Sequence, residues 1–150
     1  METSNGKISW KYGLAWSQEL ETGNETIDSQ HKQLFKLISD IVEACMNGKD
    51  ADVPKKALDF LASYTVKHFA DEEALQLQYG FPDYERHKKI HDDFKVTAAA
   101  LVEEYNSELS LEKLNSKIHS VVIHWLTRHI KGEDAKIAAH IRKQAKTQGV

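Results

Sequence analysis

His68 and Glu72 stand four residues apart, and so do His87 and His91. A spacing of four sets two side chains on one face of an α-helix, one turn above the other, where both can reach a single site. His31 lies well before the first pair and His129 well after the second. Each of these residues falls on the apolar stripe of its own segment. At about 100° per residue, His129 lines up with Leu111, Ile118, Val122 and Trp125. These polar groups therefore point at the core, where an unpaired charge is costly. Asp134, five residues past His129, is placed to turn inward from the end of its segment.

Five imidazoles and two carboxylates converging on one core are best explained by metal coordination. Seven ligands are too many for one tetrahedral zinc and suit a pair of metals, with Glu72 and Asp134 bridging. The donors are nitrogen and oxygen without thiolate. That excludes an iron–sulfur cluster and fits iron or manganese, and zinc less well. Glu133, next to Asp134, is the alternative carboxylate.

Four helices must position these groups. Ile27, His31, Leu34, Ile38, Ile41 and Cys45 step by threes and fours; Asp28 or Ser29 is expected to cap the start and Asn47-Gly48 to end the run. Pro54 suits the first turn of a second helix carrying Ala57, Leu61, Tyr64, His68, Glu72, Leu75 and Tyr79, broken by Gly80-Phe81-Pro82. A third carries Tyr84, His87, His91, Phe94, Ala98, Leu101 and Tyr105. Ser110 caps a fourth, which Gly132 is expected to break, and Ala135 to Ala145 would form a short terminal helix. The pattern predicts an all-α chain, an up-down-up-down antiparallel four-helix bundle. The expected organisation is one domain over 1–150. It has an irregular segment over 1–23 anchored by Trp10, Tyr12, Trp16 and Leu20, a bundle over about 24–131 and a terminal helix over about 133–146.

Composition narrows the function. With 150 residues, 41% apolar and 29% charged, the chain suits one globular domain. A net charge of −3, evenly spread, argues against nucleic acid as a partner. No stretch approaches the roughly 18 apolar residues of a membrane span. One cysteine and no apolar leader point to a cytoplasmic protein. His119, His124 and His140 fall off the ligand faces and are expected at the surface, at an edge or in the tail.

The segment from Gly23 to Phe35, with Asp28-Ser29-Gln30-His31, resembles the first-helix signature of hemerythrins. So do His68-Phe69-x-x-Glu72-Glu73, Tyr84-x-x-His87-x-x-x-His91 and Trp125-Leu126-x-x-His129-Ile130-x-x-x-Asp134. The four motifs come in order and span about Trp16 to Ile141. A member of that family is itself a type example of the up-down bundle.

The resemblance implies two Fe ions with an oxo or hydroxo bridge. His87, His91 and His129 would bind one, and His31 and His68 the other, which keeps a position open. Glu72 and Asp134 would bridge. It implies reversible binding of dioxygen as a carrier, store or sensor, and not an enzyme, with Phe69, Gln76, Trp125 and Leu126 lining the oxygen pocket. Ferritin-like oxidases use four carboxylates and two histidines; five neutral imidazoles favour release over O–O cleavage. The chain departs from the family where methionine commonly follows the bridging glutamate by four residues and Gln76 stands instead. A di-iron peroxidase or nitric oxide reductase, or an iron-handling module, would use the same ligands. Nitric oxide is a second candidate ligand, and a reductase or oxygen-accepting partner remains unidentified by sequence.

Overall fold

The computed structural model describes residues 7–10, 14–48, 52–107 and 110–147. Among these, four helical rods dominate. They are α1 (Glu25–Asn47), α2 (Asp52–Gln78), α3 (Tyr84–Ser107) and a fourth made of α4 (Leu111–Lys117), α5 (His124–His129) and α6 (Ala135–Thr147). Two π-helical segments, Ile118–Ile123 and Ile130–Asp134, join α4 to α5 and α5 to α6.

The segment expected to be irregular has some order. β1 (Ile8–Ser9) pairs antiparallel with β2 (Ala15–Trp16), Ile8 opposite Trp16, and a 3-10 turn covers Gln18–Leu20. Two-residue strands are too short to leave an alternating pattern. Trp16 and Leu20 are buried and Trp10 packs on the core; Tyr12 lies outside the described residues.

The cap of α1 differs from expectation. Asn24, not Asp28 or Ser29, supplies it, its side chain accepting from the Ile27 N–H at 3.0 Å. Asp28 instead faces back along the chain. It accepts from the Thr22 N–H at 2.9 Å, the Thr22 hydroxyl at 2.7 Å and the Gly23 N–H at 3.1 Å. Burial pushes the Asp28 carboxyl up, but these donors outweigh it and hold the group below the usual range. Gly48 ends α1 in the left-handed region at φ 57°, where glycine alone is unstrained.

The break expected at Gly132 is absent. Helical dihedrals continue on both sides, at φ −60° for Ile130 and φ −58° for Ala135. A glycine costs a helix about 1 kcal/mol relative to alanine, which packing readily offsets. The terminal helix is thus an extension of the fourth rod.

α1 packs along α2, α2 along α3, and α4 with its π segment along α1. Phe94 of α3 stacks on Trp125 of α5, centroids 3.9 Å apart. Two apolar clusters fill the interior. The larger holds Trp16, Leu34, Phe35, Ile38, Leu61, Phe69, Phe94, Leu114, Ile118 and Leu126 among others; the smaller is Ile27, Phe81 and Ile137, with Leu75 and Ile141 against it. Cys45 sits in the larger, where burial pushes its thiol up to about 11.

Candidate metal centre

The ligand-type residues form a layer between the two clusters. On α1, His31 follows Ile27 of the small cluster and precedes Leu34 of the large one. On α2 the order reverses, from Leu61 past His68 and Glu72 to Leu75. Phe81, just before α3, precedes His87 and His91, and Phe94 follows them on α3. On the fourth rod, Leu126 precedes His129 and Ile137 follows Asp134. All seven side chains are buried.

Asp134 reaches the layer through the π segment. Five residues along an α-helix would turn it about 140° away from His129. The wider turn of Ile130–Asp134 brings both inward, with His129 Nε2 and Asp134 Oδ1 3.0 Å apart. Glu133 turns outward and pairs with Arg86.

Glu72 and Asp134 each divide their two oxygens between two sets of histidines. Glu72 Oε1 lies 3.2 Å from His87 Nε2 and 3.3 Å from His91 Nε2; its Oε2 lies 3.1 Å from His68 Nε2 and 3.5 Å from His31 Nε2. Asp134 Oδ1 lies 3.1 Å from His87 Nε2 and 3.0 Å from His129 Nε2; its Oδ2 lies 2.9 Å from His31 Nε2. Two overlapping groups result, each compact enough for one metal ion. One is Glu72, His87, His91, His129 and Asp134; the other is His31, His68, Glu72 and Asp134.

Hydrogen bonds alone do not account for this packing. The outer nitrogen of His91, Nδ1, donates to Glu73 Oε2 at 2.9 Å. In a neutral ring its Nε2 is then a bare lone pair, yet it lies 3.0 Å from His87 Nε2 and 3.1 Å from His129 Nε2. His68 Nδ1 donates to Gln30 Oε1 at 2.7 Å, which turns its Nε2 lone pair toward Glu72 Oε2. Both His31 ring nitrogens, Glu72 Oε2 and both Asp134 oxygens lack an aligned partner. Bound cations would satisfy His31 Nε2 and the carboxylate oxygens, and an all nitrogen and oxygen donor set fits iron.

Without metal, the carboxylates capture protons on neighbouring rings. Burial alone would depress His31; Asp134 and Glu72 outweigh it and raise the imidazole to about 9. His87 rises to about 9 by the same balance. Burial and the charge of Glu72 push Asp134 up, but His129 and His31 bring it down to about 2. Glu72, despite its burial, is held well below the usual range by His31, His68 and His87.

Flat apolar rings fix the ligand planes. Phe69 stacks on His91 at 3.9 Å and 6°, and Trp125 on His129 at 4.4 Å and 11°. Beyond them lies an apolar cavity of about 10 Å³, room for one guest of roughly water's size. Its walls are Leu34, Ile38, Leu61, Thr65, Phe69, Phe94, Val122, Trp125 and Leu126. A second cavity of about 20 Å³ shares Leu61, Thr65, Phe94 and Val122 and extends to Ala62, Ala98 and Val102 between α2 and α3. The cavities thus gather Phe69, Trp125 and Leu126. Gln76 is not among their lining residues: it is fully buried one turn beyond Glu72, on the small-cluster side. His119 and His124 are exposed, and His140 donates to the Tyr79 carbonyl at 2.8 Å.

Sequence reasoning missed Gln30 and Glu73. Each is adjacent to a ligand residue on its helix, which was the available signal. Gln30 is itself held by Asp71, its Nε2 donating at 3.0 Å.

A family model, the hemerythrin HHE cation binding domain, matches residues 22–141. A bacteriohemerythrin of Pseudomonas aeruginosa is 32% identical over 130 residues, 86% of this chain and 82% of that protein. A myohemerythrin of Theromyzon tessulatum is 33% identical over 124 residues, 81% and 88% of the two chains. The crystal structure of a hemerythrin variant superimposes with a TM-score of 0.72 at 24% identity, covering 89% of this chain and 95% of the other, a likeness of fold.

Proposed function

This chain belongs to the hemerythrin family of non-haem di-iron, dioxygen-binding proteins, and from that premise we propose that it takes up and releases the gas reversibly as a carrier, store or sensor. His87, His91 and His129 would hold one iron, His31 and His68 the other, and Glu72 and Asp134 would bridge. The observation that carries this reading is the division of each carboxylate's oxygens between the two histidine groups. With three histidines on one side and two on the other, the second group is one ligand short, which leaves room for the guest. When bound, the ferrous pair supplies the two electrons that dioxygen takes up on binding and returns on release.

The chain's own residues do the rest. Glu73 and Gln30 hold the outer protons of His91 and His68, so the inner nitrogens would be free to bind the metals. Phe69 and Trp125 lock two ligand rings by stacking. The apolar walls exclude water from the side where the gas would enter. Thr65 is the sole hydroxyl in the first cavity, and it donates to the Leu61 carbonyl at 2.8 Å. Tyr64, the acid–base candidate nearest His68, does not line it. A cavity without an acid or base favours release over turnover, and so a binding protein over a peroxidase or nitric oxide reductase.

The alternating order of small cluster, ligands and large cluster along successive rods supports an up-down-up-down bundle forming a single domain. No described helix is long and apolar enough to cross a membrane.

The test is optical. The iron-loaded protein is reduced without air, exposed to oxygen and then purged. Two irons per chain and a visible band that appears with oxygen and vanishes on purging are expected. Immediate conversion to a stable diferric spectrum would overturn reversible binding.

A further inference from the structure

The two sides of the ligand layer differ in polarity. The large-core side carries the apolar cavities. On the small-cluster side stands Gln76, 0% exposed, with neither Oε1 nor Nε2 meeting a hydrogen-bond partner. Its backbone is pinned, because the Gln76 carbonyl accepts from the Phe81 N–H at 2.8 Å. The amide therefore cannot reach solvent by fraying of the helix end. A buried amide with two donors and an acceptor all unmet is unfavourable unless something occupies the space beside it.

Glu72 stands one turn earlier on the same helix, and a carboxylate oxygen that binds a cation keeps a second lone pair that can accept from a water. Side chains four apart on a helix are neighbours, about 5–6 Å apart at Cβ, and a water between two such polar groups is nearly as favourable as a direct hydrogen bond. We propose that Gln76 holds an ordered buried water against the Glu72 carboxylate. The water accepts from the Gln76 Nε2–H and donates to Glu72. Gln76 is then a positioning residue, acting on the metal centre through the charge of a carboxylate. The centre gains a wet, hydrogen-bonding wall on one side and keeps a dry, apolar one on the other. This rests on the reading of Glu72 as a ligand.

High-resolution crystal structures of the iron-loaded wild type and of Gln76→Leu test it, with iron content measured on both. Density for one water within hydrogen-bond distance of both the Gln76 amide and Glu72, lost in Gln76→Leu, is expected. Gln76→Met serves if the leucine variant does not fold. Difference infrared spectra provide a second readout. The carboxylate stretch of Glu72 should shift between H2O and D2O in the wild type and lose that shift in the variant. Two irons per chain with a dry amide, or an unchanged deuterium shift in the variant, overturn the water site and leave the ligand reading standing. Wild-type protein that does not take up two irons overturns the ligand reading, and this proposal with it.

Discussion

Glu73 Oε2 lies 2.9 Å from His91 Nδ1, so one ligand ring rests on a carboxylate, whereas His68 Nδ1 rests on the neutral amide of Gln30 at 2.7 Å. A carboxylate behind an imidazole makes it a stronger donor, and an amide does so less. The two histidine groups therefore differ in electron donation as well as in number.

Replacing Glu73 with glutamine keeps the hydrogen bond and removes the charge. Metal affinity at the His87, His91 and His129 group should fall by about 10- to 100-fold. Competition titration with a chelator of known affinity measures this. Unchanged affinity would show that Glu73 only orients the ring.

Metal-free protein should have a stability optimum in pH with a steeper alkaline decline than the loaded protein. His31 and His87, raised from 6.5 to about 9, contribute stability that is fully present below pH 6.5 and is lost as pH rises through 9. Asp134, lowered from 3.8 to about 2, contributes stability that is present above pH 3.8 and is lost as pH falls toward 2. Denaturant unfolding of chelator-stripped protein should therefore give its highest midpoint between those limits. The alkaline decline should shrink in loaded protein, where cations replace the protons.

Asp28→Ala removes the acceptor for the Thr22 N–H, the Thr22 hydroxyl and the Gly23 N–H at once. A loss of about 2–3 kcal/mol in unfolding free energy is expected, since buried donors are left unmet. Because Asp28 is held below its ordinary value, the wild type should lose this contribution as pH falls through the folded value. The variant should lack that part of the acid sensitivity.

The two apolar cavities, which share Leu61, Phe94 and Val122, should open into one another and admit xenon under pressure. Pressurised crystals are expected to show a peak bounded by Leu61, Phe69, Phe94 and Val122. Absence of any peak at high pressure would show that the cavities do not open to an atom of xenon's size.

Gln76→Met removes an amide next to the centre and should slow autoxidation of the oxygenated protein by about 2- to 10-fold, the effect of one hydrogen bond. Decay of the visible oxygenated spectrum over hours gives the rate. An equal rate would separate Gln76 from that process.

The sequence made the four-residue spacings of His68 with Glu72 and His87 with His91 plain, because they match the helical period. Asp134 was harder. Its five-residue offset from His129 contradicts an α-helix, and a break at Gly132 was the simplest way to turn it inward. A π turn does the same without a break, and hydrophobic periodicity cannot tell the two apart. The start of α1 was misread because Asn24 and Asp28 are both good acceptors, and only the path of Thr22 and Gly23 decides which one caps. Gln76 was legible as buried-face from its offset to Glu72, but the side of the centre it stands on depends on where the cavities open.

The π segment between His129 and Asp134 also fixes the phase of everything after it. Winding that turn as a plain α-helix at the same length would rotate α6 by about 100°. Ile137 would leave the small cluster with Ile27 and Phe81, and Asp134 would leave the metal layer. The register of the last helix and the completeness of the ligand set are therefore one quantity.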